Sequence, residues 1–471
     1  MKKYVYMIFV AFALSGCHIY RAYHRPDSIK VPDSFRMPDS VACTSADTAT
    51  IASLAWQEVF TDPLLQELIS YGLENNNDML AAIEKVKEAK AALMTSKLSF
   101  LPSLTLAPQG GVSSFDHSAP SWTYNASVSA SWEIDLFGKL MNAKRQAKVA
   151  MLQNMEYRQA VRTQLIATIA DYYYTLVSLD EQLAIYEETE RNWKSSVETI
   201  KAMKEGGMAD EAAVSQSEAN YYMVVASIPD IKASIIQQEN ALCVLLGNTP
   251  GVIRRGTLAQ QKMEIPVEAG IPLQLLANRP DVRSAEYQLA GMYYSTNQAR
   301  ASFYPQISIG GSAGWTNSVG SVIVNPGKLL LSALASITQP LFYRGSNMAK
   351  LKIAKAQEEQ ARLNFQQTLL NAGQEVSDAL VIYEAAEKKR DAREKQIDAL
   401  YRSVESTTEL MRLGSSTYLE VLTAQQSLLS AQITATQDRL SQLQAVVSLY
   451  HALGGGRDTT PENDSSQYKN K

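Results

Sequence analysis

From Tyr124 to Asp135 the chain alternates without exception. Tyr124, Ala126, Val128, Ala130, Trp132 and Ile134 fall on one face, and Asn125, Ser127, Ser129, Ser131, Glu133 and Asp135 on the other. A two-residue period describes a β-strand with one apolar and one wet face. Leu331, Ala333, Ala335 and Ile337 likewise alternate with Ser332, Leu334, Ser336 and Thr338. A shorter candidate precedes each of these strands: Ser103–Leu106 before Gln109-Gly110-Gly111, and Gln306–Ile309 before Gly310-Gly311. Both glycine pairs are expected to form loops. The remaining pattern is helical. Lys139–Glu205 contains no proline and no glycine, and Ile166, Ile169, Tyr173 and Leu176 keep the three- and four-residue spacing of a helix face. One helix of about 65 residues would be ~100 Å long. Gly206-Gly207 break it, and Asp210–Leu246 returns with a bend expected at Pro229. The plan recurs as Ser346–Leu413, a break at Gly414-Ser415-Ser416, and Tyr418–Leu453. Shorter helices are expected after Asp62, with Pro63 at the first helical position, over Asn75–Leu98 and over Asn278–Ser302.

These elements come in two sets. Gly207 recurs as Gly414 and Leu246-Gly247 as Leu453-Gly454, 207 positions on, whereas Ser99-Phe100-Leu101-Pro102 returns as Ser302-Phe303-Tyr304-Pro305 and Asp78 as Asp281, 203 positions on. The chain is therefore one large unit duplicated and fused, over residues 56–253 and 254–456, with four extra residues in the second copy. Each unit supplies one strand pair, within 103–135 and 306–340, and one helical hairpin, 139–246 and 346–453.

Four strands cannot close a membrane barrel, whose bacterial minimum is about eight, and an open edge is not allowed in lipid. If the strands cross a membrane, the protein is an oligomer. Tyr124 and Trp132 lie ~27 Å apart along a strand at ~3.3 Å per residue, which places them as an aromatic girdle astride a tilted apolar band. A half-buried strand of a soluble sandwich shows the same alternation, and that reading stays open at this point.

The N terminus points to a compartment. Lys2-Lys3, an apolar run from Tyr4 to Leu14, and Leu14-Ser15-Gly16-Cys17 describe a secretory signal over residues 1–16 that ends in a lipobox, with Cys17 as the lipidated first mature residue. Several acyl chains give the anchoring strength that a single one lacks. The absence of Asp beside Cys17 favours the outer membrane. Residues 17–55 read as lipid anchor and extended Pro-, Asp- and Ser-rich linker, and 457–471 as a polar, disordered tail. A net charge of −4 from 44 basic and 48 acidic residues, without blocks, argues against nucleic acid as a partner. Four scattered histidines, with Cys43 and Cys243 unrelated in spacing, argue against a metal site, and no cofactor is called for.

Two strings imitate catalytic motifs. Gly310-Gly311-Ser312-Ala313-Gly314 matches the nucleophile elbow but lacks the following helix and a nearby histidine, and it reads as a glycine-rich extracellular loop. Gly327-Lys328 lacks the glycine five residues earlier that a phosphate loop requires. No enzyme is indicated.

With these residues in place the chain resembles the TolC-like outer-membrane factors, in the lipoprotein branch of the OprM or NodT type. The resemblance rests on Trp56-x-x-x-Phe60-x-Asp62-Pro63-x-Leu65, on Arg279-Pro280-Asp281 with Phe303-Tyr304-Pro305, and on Gly414-Ser-Ser-Thr-Tyr418-Leu419-Glu420-Val421-Leu422. It implies a homotrimer with a mixed α and β fold: twelve strands in one outer-membrane β-barrel continuing into a periplasmic α-helical coiled-coil barrel. It further implies a passive exit duct for small toxic compounds or drugs, docked to a periplasmic adaptor and supplied by an inner-membrane pump of the RND type. Gly206, Gly207, Met208, Gly414, Ser415 and Ser416 match the tips that adaptors contact, and Leu419, Glu420 and Thr423 the periplasmic gate. Thr423 stands where an acidic ring residue is common, and Ala213 where the first repeat has an aspartate. Met411 and Ser416 replace a tyrosine and an arginine that lock the closed tip elsewhere in the family, so an apolar constriction at Leu419 is expected instead of a charge lock. Two other functions fit less of the sequence: a conduit for protein secretion, and a structural periplasmic coiled-coil lipoprotein, which would have no use for the alternating strands.

Overall fold

A computed structural model describes residues 20–26, 55–114, 116, 119–261, 279–319 and 322–456, with side chains left out at 317–328. The signal segment, Cys17, most of the linker, the expected helix start at Asn278 and the tail 457–471 lie outside the described residues. The elements are α1 (Trp56–Val59), α2 (Pro63–Asn75), α3 (Asn77–Leu98), β1 (Ser103–Ser113), β2 (Ser121–Ile134), α4 (Lys139–Glu205), α5 (Glu211–Leu245), α6 (Pro280–Ala301), β3 (Gln306–Val319), β4 (Val322–Thr338), α7 (Ser346–Arg412) and α8 (Tyr418–Ala452), with a 3-10 turn at Leu258–Gln260. The duplication is visible in lengths: α3 and α6 have 22 residues each, α4 and α7 67, α5 and α8 35. α5 runs on through Pro229.

The chain divides into two compact units, one of residues 1–30, 84–156 and 283–367, the other of residues 31–83, 157–282 and 368–471. The first holds a four-stranded antiparallel meander in the order β1-β2-β3-β4. Its register brings the alternation of all four strands into phase. Leu106 pairs with Val128, Val128 with Ala313 and Ala313 with Leu331, so the apolar residues share one face. Ser308 and Ser312 on the opposite face meet Ser336 and Ser332, hydroxyl to hydroxyl, at 2.7 Å each. Leu330, Leu334 and the small Ala107 are the apolar exceptions on that polar face among the described side chains.

The glycine pairs correct the sequence expectation. Gly110-Gly111 lie inside β1, and Gly310 to Gly314 inside β3, where loops were expected. For two of them the reason is close approach: a Cβ on Gly314 would lie 2.3 Å from the Ala126 carbonyl oxygen, and one on Gly311 3.1 Å from that of Ser332. Glycine is the strand residue wherever neighbouring backbone crowds the pleat. Ser312 of the elbow-like string thus sits mid-strand. At the end of the sheet, residues 20–26 cross as a strap: Arg25 holds Glu286 through two hydrogen bonds of 2.8 and 2.5 Å, and Tyr23 meets Tyr293 edge to face.

The second unit shows why the Trp56 string has its form. Trp56, Phe60 and Leu65 are buried, and Phe60 meets Tyr450 edge to face at 5.3 Å. Asp62 caps α2 through Leu64 N–H at 2.9 Å and accepts from Tyr173 Oη at 2.5 Å and Gln261 Nε2 at 2.7 Å. Burial alone would raise the Asp62 carboxyl; these hydrogen bonds outweigh it and hold the group below its ordinary value. α3 begins at Asn77, where a start at Asn75 was expected, and Asn75 is the last residue of α2. Asn76 is extended, caps α3 through Met79 N–H at 2.9 Å and donates to the Leu245 carbonyl at 2.8 Å. Arg279 of the Arg-Pro-Asp string is buried and donates to the Ala452 carbonyl, Asp281 and Glu375, tying the start of α6 to the last carbonyls of α8.

Candidate functional site

All four hairpin helices end alike. Gly207, Gly247, Gly414 and Gly454 have φ between +72° and +76°, and each donates to the carbonyl three residues back while the next residue donates to the carbonyl five back, as in Met208 to Met203 at 2.8 Å and Ser415 to Leu410 at 2.8 Å. This is the Schellman stop, for which the left-handed glycine is required. A Cβ on Gly247 would lie 2.8 Å from the Asn75 carbonyl oxygen, whereas Gly207 and Gly414 have nothing within 4 Å. Gly207 and Gly414 are the exposed turns of the two hairpins.

The two tips differ in what surrounds the glycine. In the first, Lys204 pairs with Glu211 across the turn, Lys201 with Glu218 at 2.6 Å, and Asp210 caps α5 by accepting from Ala213 N–H at 2.7 Å. In the second, Thr417 makes no side-chain cap, Ser416 Oγ donates to Glu420, and Arg412 pairs with Glu409 at 2.8 Å. Met208 is exposed in the first tip, and Ser415 in the second.

Leu419, Glu420 and Thr423 are all exposed and follow one another along one side of α8, while Val421, Leu422 and Ala424 face inward. Thr423 Oγ1 returns to the Leu419 carbonyl at 2.7 Å, so its hydroxyl is satisfied within the helix. The exposed side of α8 thus offers one large apolar side chain, one carboxylate and one closed hydroxyl. Ala213, at the matched position in α5, is 1 % exposed and packs with Ile200, Val214, Ala209 and Tyr418. In this packing an aspartate would be a buried charge, and alanine fills the position without that cost. The contact of Tyr418 with this cluster joins the second tip to the first hairpin, and the sequence reading missed it because Tyr418 and Ile200 share no spacing. Farther along, Trp193, Val224 and Leu429 bring α4, α5 and α8 together.

Tyr124 and Trp132 occupy the apolar face of β2 and are exposed. Trp132 Nε1 donates to the Phe100 carbonyl at 2.9 Å, which gives the ring the polar handle typical of an interfacial tryptophan. Also in the helical unit, a cleft of about 370 Å³ is lined by Asp171, Glu375, Asp378 and His451 among others. Burial pushes the Asp171 carboxyl up to about 6, and its Oδ1 lacks a hydrogen-bond partner. Among the described residues no group of three or more His, Cys, Asp or Glu is placed to hold a metal ion. None of their helices is long and apolar enough to cross a membrane.

The family model described as "Outer membrane efflux protein" matches residues 68–248 and 271–455, one match per repeat. The cation efflux system protein CusC of Escherichia coli O6:H1 is 30% identical over 450 residues, covering 95% of this chain and 97% of its own. A solved structure of CusC superposes with a TM-score of 0.83 at 28% identity over 93% of this chain and 100% of that one. The open state of the Neisseria gonorrhoeae MtrE outer membrane channel gives 0.83 at 27% identity over 93% and 98%. The probable outer membrane lipoprotein SilC of Salmonella typhimurium is 28% identical over 85% of this chain and 88% of its own.

Proposed function

The chain belongs to the outer membrane efflux protein family and is an outer-membrane efflux channel protein, and from that premise we propose that three copies form one pore that serves as the passive exit duct of a tripartite pump. The observation that carries this reading is the sheet: four strands in phase, apolar on one face and lined with seryl hydroxyls on the other, with β1 and β4 as its edges. An amphipathic sheet with two open edges cannot stand in lipid alone. Three such sheets joined edge to edge give twelve strands, within the range of closed outer-membrane barrels.

In this reading Cys17 carries the lipid anchor, and the strap at residues 20–26 ties the anchor's chain to the strand-bearing unit. Tyr124 and Trp132 form the girdle. The tips at Gly206, Gly207, Met208, Gly414, Ser415 and Ser416 receive a periplasmic adaptor, which connects to an inner-membrane pump of the RND type. Leu419, with Glu420 and Thr423 beside it, forms the resting constriction, opened as the helices untwist. The duct performs no chemistry; its cargo is small toxic compounds, a reading to which the word cation in the name of the relative CusC lends support. The test is extraction from outer membranes in mild detergent followed by light scattering and planar-bilayer recording. A trimer with discrete channel events is expected, and a monomer released by urea would overturn the reading.

A further inference from the structure

Some contacts made inside a repeat have a counterpart in the other repeat. Trp132 Nε1 donates to the Phe100 carbonyl at 2.9 Å, and the carbonyl of Phe303, the counterpart of Phe100, accepts from Gln339 Nε2 just after β4 at 3.0 Å. Contacts made from the first repeat to the second occur once. The main one at the end of the sheet stacks Phe137, in the segment leaving β2, on Tyr304, in the segment entering β3, with ring centres 4.9 Å apart and planes at 11°. Both halves of that joint exist a second time without each other. Leu341 and Phe342 leave β4 as Leu136 and Phe137 leave β2, and they are 93 % and 87 % exposed. Leu101, which precedes β1 as Tyr304 precedes β3, is 61 % exposed. The two halves belong to opposite edges of the sheet.

We propose that Leu341 and Phe342 of one copy seat on Leu101 of a second copy of this chain, with β4 running beside that copy's β1, so that the joint between copies reproduces the internal joint of Phe137 and Tyr304. The inference rests on the oligomeric reading above and adds the residues that close it. The flanking helices agree. Internally, α6 and α4 are joined by Gln298 Nε2 donating to Gln146 Oε1 at 2.6 Å. The counterpart of Gln146 is Ile353 on α7, and that of Gln298 is Thr95 on α3, flanked by Met94 and Leu98. Ile353, Met94 and Leu98 are all exposed, as is Met348. Where the internal joint uses an amide pair, the outer one presents apolar side chains, as a surface awaiting a partner does. A second difference lies at the helix starts. A Cβ on Gly138 would meet the Tyr20 ring of the strap at 3.4 Å, whereas one on Gly345 would have nothing within 4 Å. Tyr343 and Arg344, inserted just before Gly345 in the second repeat, stand beside that open space, with Arg344 at φ +50°.

The experiment places cysteines at Phe342 and Leu101 in the full-length protein and treats outer membranes with a short bifunctional thiol reagent. The double variant is expected to run as covalent dimer and trimer on a denaturing gel, with linking on the order of a hundredfold faster than in either single variant, because proximity makes the step effectively intramolecular. Phe137→Cys with Tyr304→Cys should link inside one chain and stay at monomer mass. Light scattering in mild detergent separates the two failures. A trimer that does not link through Phe342 and Leu101 overturns the seat and leaves the trimer standing; a monomer overturns the oligomeric reading itself. Independently, Phe342→Ser should lower the temperature at which the oligomer dissociates and Phe342→Leu should restore it, and an unchanged temperature in Phe342→Ser would also overturn the seat.

Discussion

Single residues in this protein separate holding the fold from working the channel. Asp171 is a test of the first. Its carboxyl titrates near 6 against an ordinary value of 3.8, because burial disfavours the charge. The folded state therefore binds the proton more tightly than the unfolded one, so the charged group costs stability above pH 6 and the cost is relieved as pH falls from 6 towards 4. Asp171→Asn should raise stability at pH 7.5 by roughly 1–2 kcal/mol, with the gain vanishing near pH 4, as read by thermal unfolding across that range. Ala213→Asp should do the opposite, losing about 3 kcal/mol because the charge enters the Ile200, Val214 and Tyr418 cluster. In the proposed pore Leu419 belongs to the second kind. It is 56 % exposed, so Leu419→Gly should leave oligomer yield unchanged while resting conductance in bilayers rises several-fold; a resting conductance equal to wild type would remove it from the constriction.

At the scale of elements, the four left-handed glycines are the stops of the hairpins, and their surroundings rank them. Gly207→Ala should cost about 1 kcal/mol, the conformational term alone, since nothing lies within 4 Å. Gly247→Ala should cost several-fold more, because its Cβ would also meet the Asn75 carbonyl oxygen at 2.8 Å. Chemical denaturation of the two variants would compare them. These stops were legible in the sequence because glycine is nearly alone in accepting that backbone. The helices were legible from their length and spacing, and β2 from its unbroken alternation. The full extent of β1 and β3 was not. Gly110, Gly111, Gly310, Gly311 and Gly314 present no side chain to alternate, and the crowding by neighbouring backbone at Gly311 and Gly314 exists only once the sheet has formed. Asn76 was hidden differently: its role depends on the Leu245 carbonyl, 169 residues away. Of the site, the tips and the face of Leu419, Glu420 and Thr423 were read from their motif, while the packing of Tyr418 on Ile200 and Ala213 had no local signal.

At the scale of the molecule, the phase of the sheet makes a directional prediction. Val128 and Ser129 are neighbours in β2 on opposite faces. In the proposed pore Val128→Arg turns a charge to lipid and should cost about 2–4 kcal/mol near the midplane, whereas Ser129→Arg turns it to water and should be nearly neutral. The yield of heat-resistant oligomer in outer membranes measures both. Similar losses at the two positions would contradict the assignment of faces.

The matched lengths of the two repeats carry a consequence of a different kind. A chain of one repeat would hold both halves of the joint and could close a ring of six identical subunits. Fusion of two units, followed by the divergence that set Ala213 against Glu420 and inserted Tyr343 and Arg344, removed that choice. The ring of the proposed pore then alternates between two kinds of wall, and a solute approaching the constriction meets three carboxylates and three gaps. Halving the symmetry in this way lets one set of helices keep the architecture while the other is free to evolve as a valve.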